Sequence, residues 1–432
     1  MDETVKVPYD EAVLSAVVGR VLRIEDTTLG GAAYAQPEAP LFTAQRGGVP
    51  PWRAPRQAAS APQINFIVRY RGRLYNQDSA AAYDQLAELL KPYHITPLFR
   101  WDGGRHAVLL VPGKPQPKPS NPWVNLGLFV ATLLSVLVTG ALYGLQEPLP
   151  AEPAAAALAL VQRGWPFALS MLLILGAHEF GHYLAGRFHG LHVTLPYFIP
   201  FPFSPFGTLG AFISMKGIPK NRRVLLDVGI AGPLSGLLVA LPVLWIGLKL
   251  SHIEPLPLAV PQGISLTMEG NSLLYLLMKY LAFGKLLPVP ADYGISPLLY
   301  WVRYFFTGRP FPLGGMDVMI SPVAWAGWAG LLVTGLNLLP AGQLDGGHIV
   351  YVLLGENAIR RIYPFVLGAA VLLGFVWNGW WLWALLLYFL GRAYAEPLDQ
   401  ITTLDPRRRV LAVAAVLIFF LTFTPVPLNI IL

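Results

Sequence analysis

Seven apolar segments constrain the fold of this 432-residue chain more than any other feature. A helix needs about 20 apolar residues to cross the hydrocarbon layer of a bilayer, and several segments reach that length. The chain is 54% hydrophobic and only 13% charged, whereas soluble domains average about 25% charged residues. The sequence therefore predicts a polytopic α-helical membrane protein with about seven transmembrane helices, at residues 124–145, 166–188, 224–250, 323–340, 362–376, 380–390 and 410–425.

The residues before the first apolar segment have a different character. Residues 1–62 are predicted to hold an amphipathic helix at Tyr9–Ile24 and then a flexible linker rich in Ala and Pro. Residues 63–111 mix strand-like and helical patterns with a hairpin turn at Asp102–Gly104, and they predict a small soluble α+β domain. Residues 112–123 form a stiff Pro-rich spacer, and residues 124–432 form the transmembrane domain.

One apolar stretch inside the membrane domain cannot be a helix. Leu191–Met215 contains four prolines, at positions 196, 200, 202 and 205. Irregular backbone at membrane depth is tolerated only where it is buried in protein or lines a cavity. We therefore expect a re-entrant β-hairpin or loop, whose free strand edge could pair with an extended peptide. A hydrophobic loop at the membrane interface is the alternative.

The basic residues are predicted to set the orientation in the membrane. The net charge of +7 belongs to the loops, with clusters at residues 216–223 and 407–409, and does not indicate a nucleic-acid partner. Basic loops stay on the cytoplasmic side, and seven spans put both clusters and the N-terminus there. The chain begins without the basic-then-apolar run of a signal peptide. We expect an integral, multi-pass protein of the bacterial cell (inner) membrane with a cytoplasmic N-terminus.

The second apolar segment contains the sequence His178-Glu179-Phe180-Gly181-His182. Histidines spaced i, i+4 lie on one face of a helix, where two imidazole nitrogens can reach one zinc ion, and Glu179 can take a proton from the attacking water. Ionisable side chains at membrane depth are costly and usually functional. The chain has no cysteine, which excludes disulfides, Cys-ligated zinc and thiol catalysis.

A catalytic zinc site needs a third protein ligand from elsewhere in the chain. The best candidate is Asp345, which follows the fourth apolar segment and lies eight positions after Asn337. Pro340 and Gly342 would break the helix between them and let the aspartate turn toward the metal. On the predicted topology, Asp345 and the histidines lie on the same side of the membrane. A downstream glutamate as the third ligand is the alternative.

Four motifs together resemble the site-2 protease family of intramembrane zinc metalloproteases. They are His178–His182, Gly207–Ala211, Ala231–Pro233 and Asn337–Gly347, and the resemblance covers roughly residues 166–355. The chain is most similar to the bacterial and chloroplast branch that has a soluble N-terminal domain and no PDZ insertion.

The resemblance implies roles for five residues. It implies that His178, His182 and Asp345 bind Zn²⁺, that Glu179 is the general base, and that Asn337 helps to position the substrate. It further implies an endopeptidase that cleaves a peptide bond in or near the transmembrane segment of another membrane protein, in contact with the lipid bilayer. The oligomeric state is left open.

Two other classes of function are compatible with parts of the sequence. A catalytically silent scaffold or chaperone-like member would keep the fold, but it would not need the intact ligands and base. A metal transporter would need polar residues along a whole path, whereas the sequence shows one compact cluster.

Overall fold

The computed structural model describes residues 10–30, 66–113, 120–143, 149–260, 266–391 and 394–431. The chain divides into two compact units. The first comprises Met1–Lys118, Gly217–Val224 and Glu396–Leu404, and the second comprises Pro119–Lys216, Leu225–Ala395 and Asp405–Leu432. The predicted flexible linker and half of the Pro-rich spacer lie outside the described residues.

The first unit is built on a four-stranded antiparallel sheet in the order β1-β2-β4-β3. Its elements are α1 (Glu11–Val18), β1 (Leu22–Leu29), β2 (Val68–Leu74), α2 (Ser79–Leu90), β3 (Ile95–Asp102) and β4 (Arg105–Pro112). The predicted helix at Tyr9–Ile24 is too long, because the chain leaves the helix after Val18 and enters β1. Pairing with β2 outweighs the helical spacing of the apolar residues there. Because β1 pairs with β2, residues 22–29 are part of the sheet of the α+β domain.

The turn between β3 and β4 follows the sequence pattern. Asp102 pairs with Arg105, so Gly103 and Gly104 form a two-residue loop with φ of 59° and 79°. Positive φ at both central positions is the type I′ geometry that hairpins favour. The core below the sheet contains Tyr70, Phe99 and the α2 residue Leu86.

Two segments from far along the chain complete the first unit. The backbone N–H of Phe99 donates to the carbonyl of Leu398 at 2.9 Å. The Asp399 carboxylate is fully buried and accepts hydrogen bonds from the hydroxyls of Ser79 and Thr402. Both segments follow the pattern of loops between apolar segments, and nothing in their local sequence marks them as partners of the sheet.

The remaining elements follow in chain order. They are α3 (Pro122–Leu142), α4 (Pro153–Phe188), β5 (Tyr197–Pro200), β6 (Thr208–Phe212), α5 (Arg222–Lys249), β7 (His252–Pro255), β8 (Leu266–Glu269), α6 (Leu273–Phe283), α7 (Pro297–Thr307), β9 (Met316–Met319), α8 (Pro322–Asn337), α9 (Asp345–Leu354), α10 (Glu356–Gly374), α11 (Gly379–Leu390), α12 (Pro406–Thr422) and β10 (Leu428–Ile431).

Among the described residues, α3, α4 and α5 are the helices that are long and apolar enough to cross a membrane by themselves. The other four predicted spans coincide with α8, α10, α11 and α12. Helices α10 and α11 are separate, with residues 375–378 between them, and Ala370 and Trp380 share one buried cluster.

The segment between α5 and α8 is folded. Strand β7 pairs with β9, and β8 pairs with β10 near the end of the chain, both antiparallel. Helix α6 is capped by Ser272 and Gly284, and helix α7 by Ser296 and Gly308. The serine hydroxyls accept backbone hydrogen bonds, and the glycines have positive φ. These caps satisfy the free backbone groups at the helix ends.

The proline-rich stretch after α4 forms a β-hairpin of β5 and β6. Its tip is held against α3, where the Ser135 hydroxyl donates to the Gly207 carbonyl at 2.6 Å. The ring of Phe206 at the tip lies 5.9 Å from that of Trp325 in α8. Strand β5 packs along α3, whereas Leu209 and Phe212 of β6 are exposed.

Candidate metal centre

His178 and His182 project from one face of α4, as their spacing predicts. Their Nε2 atoms lie 3.2 Å apart, and both side chains are buried. A helix brings residues four apart onto the same face, one turn removed. The pair is therefore already arranged for a single cation.

Asp345 reaches the histidines because the helix ends at Asn337 and the chain turns back before α9. Residues 338–344 form a tight turn, and Asp345 opens α9. Its Oδ2 atom lies 3.5 Å from Nε2 of His178 and 3.3 Å from Nε2 of His182. The turn needs glycine at 346, since a Cβ there would lie 1.9 Å from the Leu338 carbonyl oxygen. The sequence prediction that Asp345 turns toward the two histidines agrees with this geometry.

The three donor atoms fit a tetrahedral zinc site. Bonds of about 2.0–2.1 Å at tetrahedral angles place ligand atoms about 3.3–3.4 Å apart. The observed separations are 3.2, 3.3 and 3.5 Å. Two imidazole nitrogens and one carboxylate oxygen are also donors that zinc prefers, and the three side chains form one candidate metal-binding group among the described residues.

Contacts around His182 fix which nitrogen faces the metal position. Its Nδ1 lies 2.7 Å from the carbonyl oxygen of Val228 in α5. A carbonyl can only accept, so Nδ1 carries the proton and Nε2 keeps its lone pair for a metal. Helix α5 approaches this closely because position 232 is glycine, where a Cβ would lie 2.0 Å from His182 Nε2.

Glu179 and Asn337 lie beside the three donors. Glu179 is 5% exposed, and its carboxyl group contacts the backbone of Ile213, directly after β6. Asn337 ends α8, and its amide nitrogen lies 3.3 Å from Nε2 of His178. Thus the structure brings all five residues singled out in the sequence to one place.

An ion-pair cluster holds the ends of three helices near the metal position. The guanidinium of Arg408 donates from Nε and Nη2 to the Asp227 carboxylate at 2.8 and 2.6 Å. Asp227 also pairs with His189 after α4, at 3.0 Å. Closeness in the sequence favours an ion pair of Asp227 with Arg222 or Arg223 and a solvated His189. This interpretation is wrong, because Asp227 faces α12 and the end of α4. We call Arg408, Asp227 and His189 the charged clamp.

The sequence around His348 favours a loop, but the structure places this residue in a helix. It lies in α9, is 5% exposed, and packs against α5 at Gly229. Its local sequence of glycines and aspartate resembles a turn, which concealed the start of the helix. His348 is not part of the three-donor group.

A buried His-His-Asp group with a carboxylate beside it, in an assembly of membrane-length helices, is the kind of centre that membrane metallopeptidases carry. Residues 166–377 match the model of Peptidase family M50. The match confirms the resemblance to site-2 proteases drawn from the motifs.

The curated relatives are chloroplast proteins of plants. The chain is 28% identical over 263 residues to the "Probable zinc metalloprotease EGY2, chloroplastic" of Oryza sativa subsp. indica, covering 61% of this chain and 42% of the relative. It is 30% identical over 270 residues to the Arabidopsis thaliana EGY1 protein of the same description, covering 62% and 44%. The chain thus spans less than half the length of these relatives. No solved structure matches it.

Proposed function

We propose that this protein is an intramembrane zinc endopeptidase that hydrolyses a peptide bond in or near the transmembrane segment of membrane-protein substrates. The observation that carries the proposal is the spacing of the three donor atoms, 3.2–3.5 Å, with Glu179 next to them. His178, His182 and Asp345 would hold the zinc ion. The ion would polarise the scissile carbonyl and lower the pKa of the attacking water to about 7.

The chain's own residues supply the remaining parts of the reaction. Glu179 accepts the proton of the attacking water and returns it to the leaving amine. Asn337 donates from its amide nitrogen to the substrate, holding the scissile carbonyl beside His178. Because a helical backbone hides its carbonyls in hydrogen bonds, the substrate must unwind before it can react. The free edge of β6 would pair with the unwound segment by strand addition.

We also propose the seven-span topology with a cytoplasmic N-terminus, at the bacterial cell (inner) membrane. Seven spans place 217–224, 396–404 and the N-terminal sheet on one side, and these three segments form the first unit. Seven spans also place β8 and β10 together on the other side, where they pair. The β5–β6 hairpin would re-enter the membrane from the cytoplasmic side.

The test of the proposed function is Glu179→Gln in protein reconstituted with a transmembrane peptide substrate. Cleavage should fall by at least about a hundredfold, because the base is lost, while zinc remains bound. Glu152→Gln is the matched control, since Glu152 is an exposed residue at the start of the same helix. Turnover by Glu179→Gln at the wild-type rate would contradict the mechanism. Zinc binding without turnover by the wild type would favour the scaffold alternative.

A further inference from the structure

A second site lies at the opposite end of α8 from Asn337. It is a cavity of about 270 Å³, lined among others by Tyr143, Trp325, Glu269 and Asp317. Pockets that bind whole small-molecule ligands usually measure about 300–1,000 Å³, so this cavity has the size for one long side chain. Apart from Thr267, its other walls are apolar, with Leu256, Leu266, Met268, Met319 and Pro322 among them.

The charged residues at the cavity are unbalanced. Glu269 and Asp317 are 6% and 4% exposed, and one cation, the fully buried Lys279, lies between them. Its Nζ is 3.9 Å from Glu269 and 4.0 Å from Asp317 and makes no hydrogen bond among the described residues. Two carboxyl groups therefore share one ammonium, and the cavity wall has room for a second cationic partner.

These carboxyl groups can also accept a further hydrogen bond. Oε1 of Glu269 accepts from the Tyr275 hydroxyl, and Oδ1 of Asp317 accepts from the Val318 backbone, both at 2.8 Å. Oδ2 of Asp317 accepts from no described residue. Burial raises the pKa of both carboxyl groups, that of Glu269 to about 7, because the single ammonium of Lys279 does not offset the cost of burying two negative charges. A second cation would offset it.

The β5–β6 hairpin connects this cavity to the metal centre. Its tip contacts two cavity residues, since the Tyr143 hydroxyl donates to the Pro205 carbonyl and Phe206 packs on Trp325. At its other end, Ile213 follows β6 and contacts Glu179. Trp325 and Asn337 are twelve residues apart in α8, or about 18 Å. An extended chain covers that distance in about five or six residues.

We propose that this cavity, at Glu269, Asp317 and Trp325, receives a lysine or arginine side chain of the substrate, about five or six residues from the scissile bond. The substrate lies extended along β6, so that its reactive bond meets Glu179 while its basic residue enters the cavity. The carboxylates bind the charge, the aromatic rings of Tyr143 and Trp325 face the cation, and the apolar walls cover its methylene stem. The cavity lies toward the side of the membrane opposite the metal centre. It would select substrates that carry one positive charge on that side. This inference rests on the proposed function, which places the scissile bond of the substrate at Glu179.

Binding of peptides to the full chain tests the inference without requiring turnover. The probes are two fluorescent transmembrane peptides in detergent, identical except for Lys or Met at one position, which is stepped between four and eight residues from a central bond. The Lys peptide should bind about tenfold tighter at five or six residues. Asp317→Asn should remove this preference, so that the variant binds the Lys and Met peptides equally.

A second variant avoids the buried charges. Thr267 is exposed at the cavity, so Thr267→Lys would place a competing ammonium there, while Thr267→Val keeps the shape without the charge. The lysine variant should lose the tenfold preference, and the valine variant should keep it. Equal binding of the two peptides at every position, or a preference unchanged in Thr267→Lys, would overturn the inference. If cleavage is absent but the preference holds, the proposed function fails and the cavity assignment stands.

Discussion

At the scale of single residues, the metal centre depends on the ligands and also on glycines, whose lack of a side chain leaves room for the ligand rings. His182 can present Nε2 because its Nδ1–H donates a hydrogen bond to the Val228 carbonyl, and Val228 reaches it because α5 lies close against α4. Small residues in helix interfaces allow such approaches. The small residues within Ala231–Gly236 favour such an approach, but the sequence alone does not show which ring each glycine accommodates.

Gly232→Ala should therefore weaken zinc binding. The added Cβ would lie 2.0 Å from His182 Nε2, so either the ring or α5 must move. We expect at least a tenfold loss of zinc affinity, measured by competition with a chromophoric chelator. Gly176→Ala in α4 is the control, because no atom lies within 4 Å of its added Cβ. Equal zinc affinity in both variants would contradict this account of α5.

At the scale of elements, the charged clamp joins the ends of α4, α5 and α12. Asp227 precedes Val228, whose carbonyl orients His182, so the clamp fixes the helix turn that positions a ligand. Groups that orient a metal ligand typically change metal affinity by 10–100-fold when removed. Arg408 therefore acts as a positioning residue.

Arg408→Gln should weaken zinc binding about tenfold or more, because it removes both hydrogen bonds to Asp227. The matched controls are Arg407→Gln and Arg409→Gln, exposed neighbours on the same helix. Chelator competition measures the affinity, and thermal unfolding of the zinc-free proteins measures stability. A drop in stability with unchanged zinc affinity would show that the clamp is only structural.

At the scale of the whole molecule, patterns in the local sequence predicted the helices and the grouping of the site residues. They did not predict which segments far apart in the chain pair with each other. The His178–His182 face and the break before Asp345 follow from helix periodicity and from proline and glycine chemistry. The strand at Leu22–Leu29 and the burial of Asp399 depend on residues far along the chain, which periodicity does not report. The five site residues could be found because their chemistry is unusual in apolar surroundings.

The seven-span topology predicts which surfaces face each side. Since the chain has no cysteine, single cysteines can be introduced at exposed Tyr75, in the first unit, and at exposed Leu258, after β7. A membrane-impermeant maleimide added to right-side-out vesicles should label residue 258 and leave residue 75 unlabelled until the vesicles are opened. Labelling of both positions from outside would contradict the topology.

The central claim is that His178, His182 and Asp345 together hold one zinc ion. Its most direct test is the zinc content of detergent-purified protein, with the wild type beside His178→Ala and Asp345→Ala. We predict about one zinc per chain in the wild type and its loss in both variants, because each removes one of three ligands. Zinc retained in Asp345→Ala would contradict the ligand assignment and favour a glutamate as the third ligand. A wild type without zinc would contradict the metal centre itself.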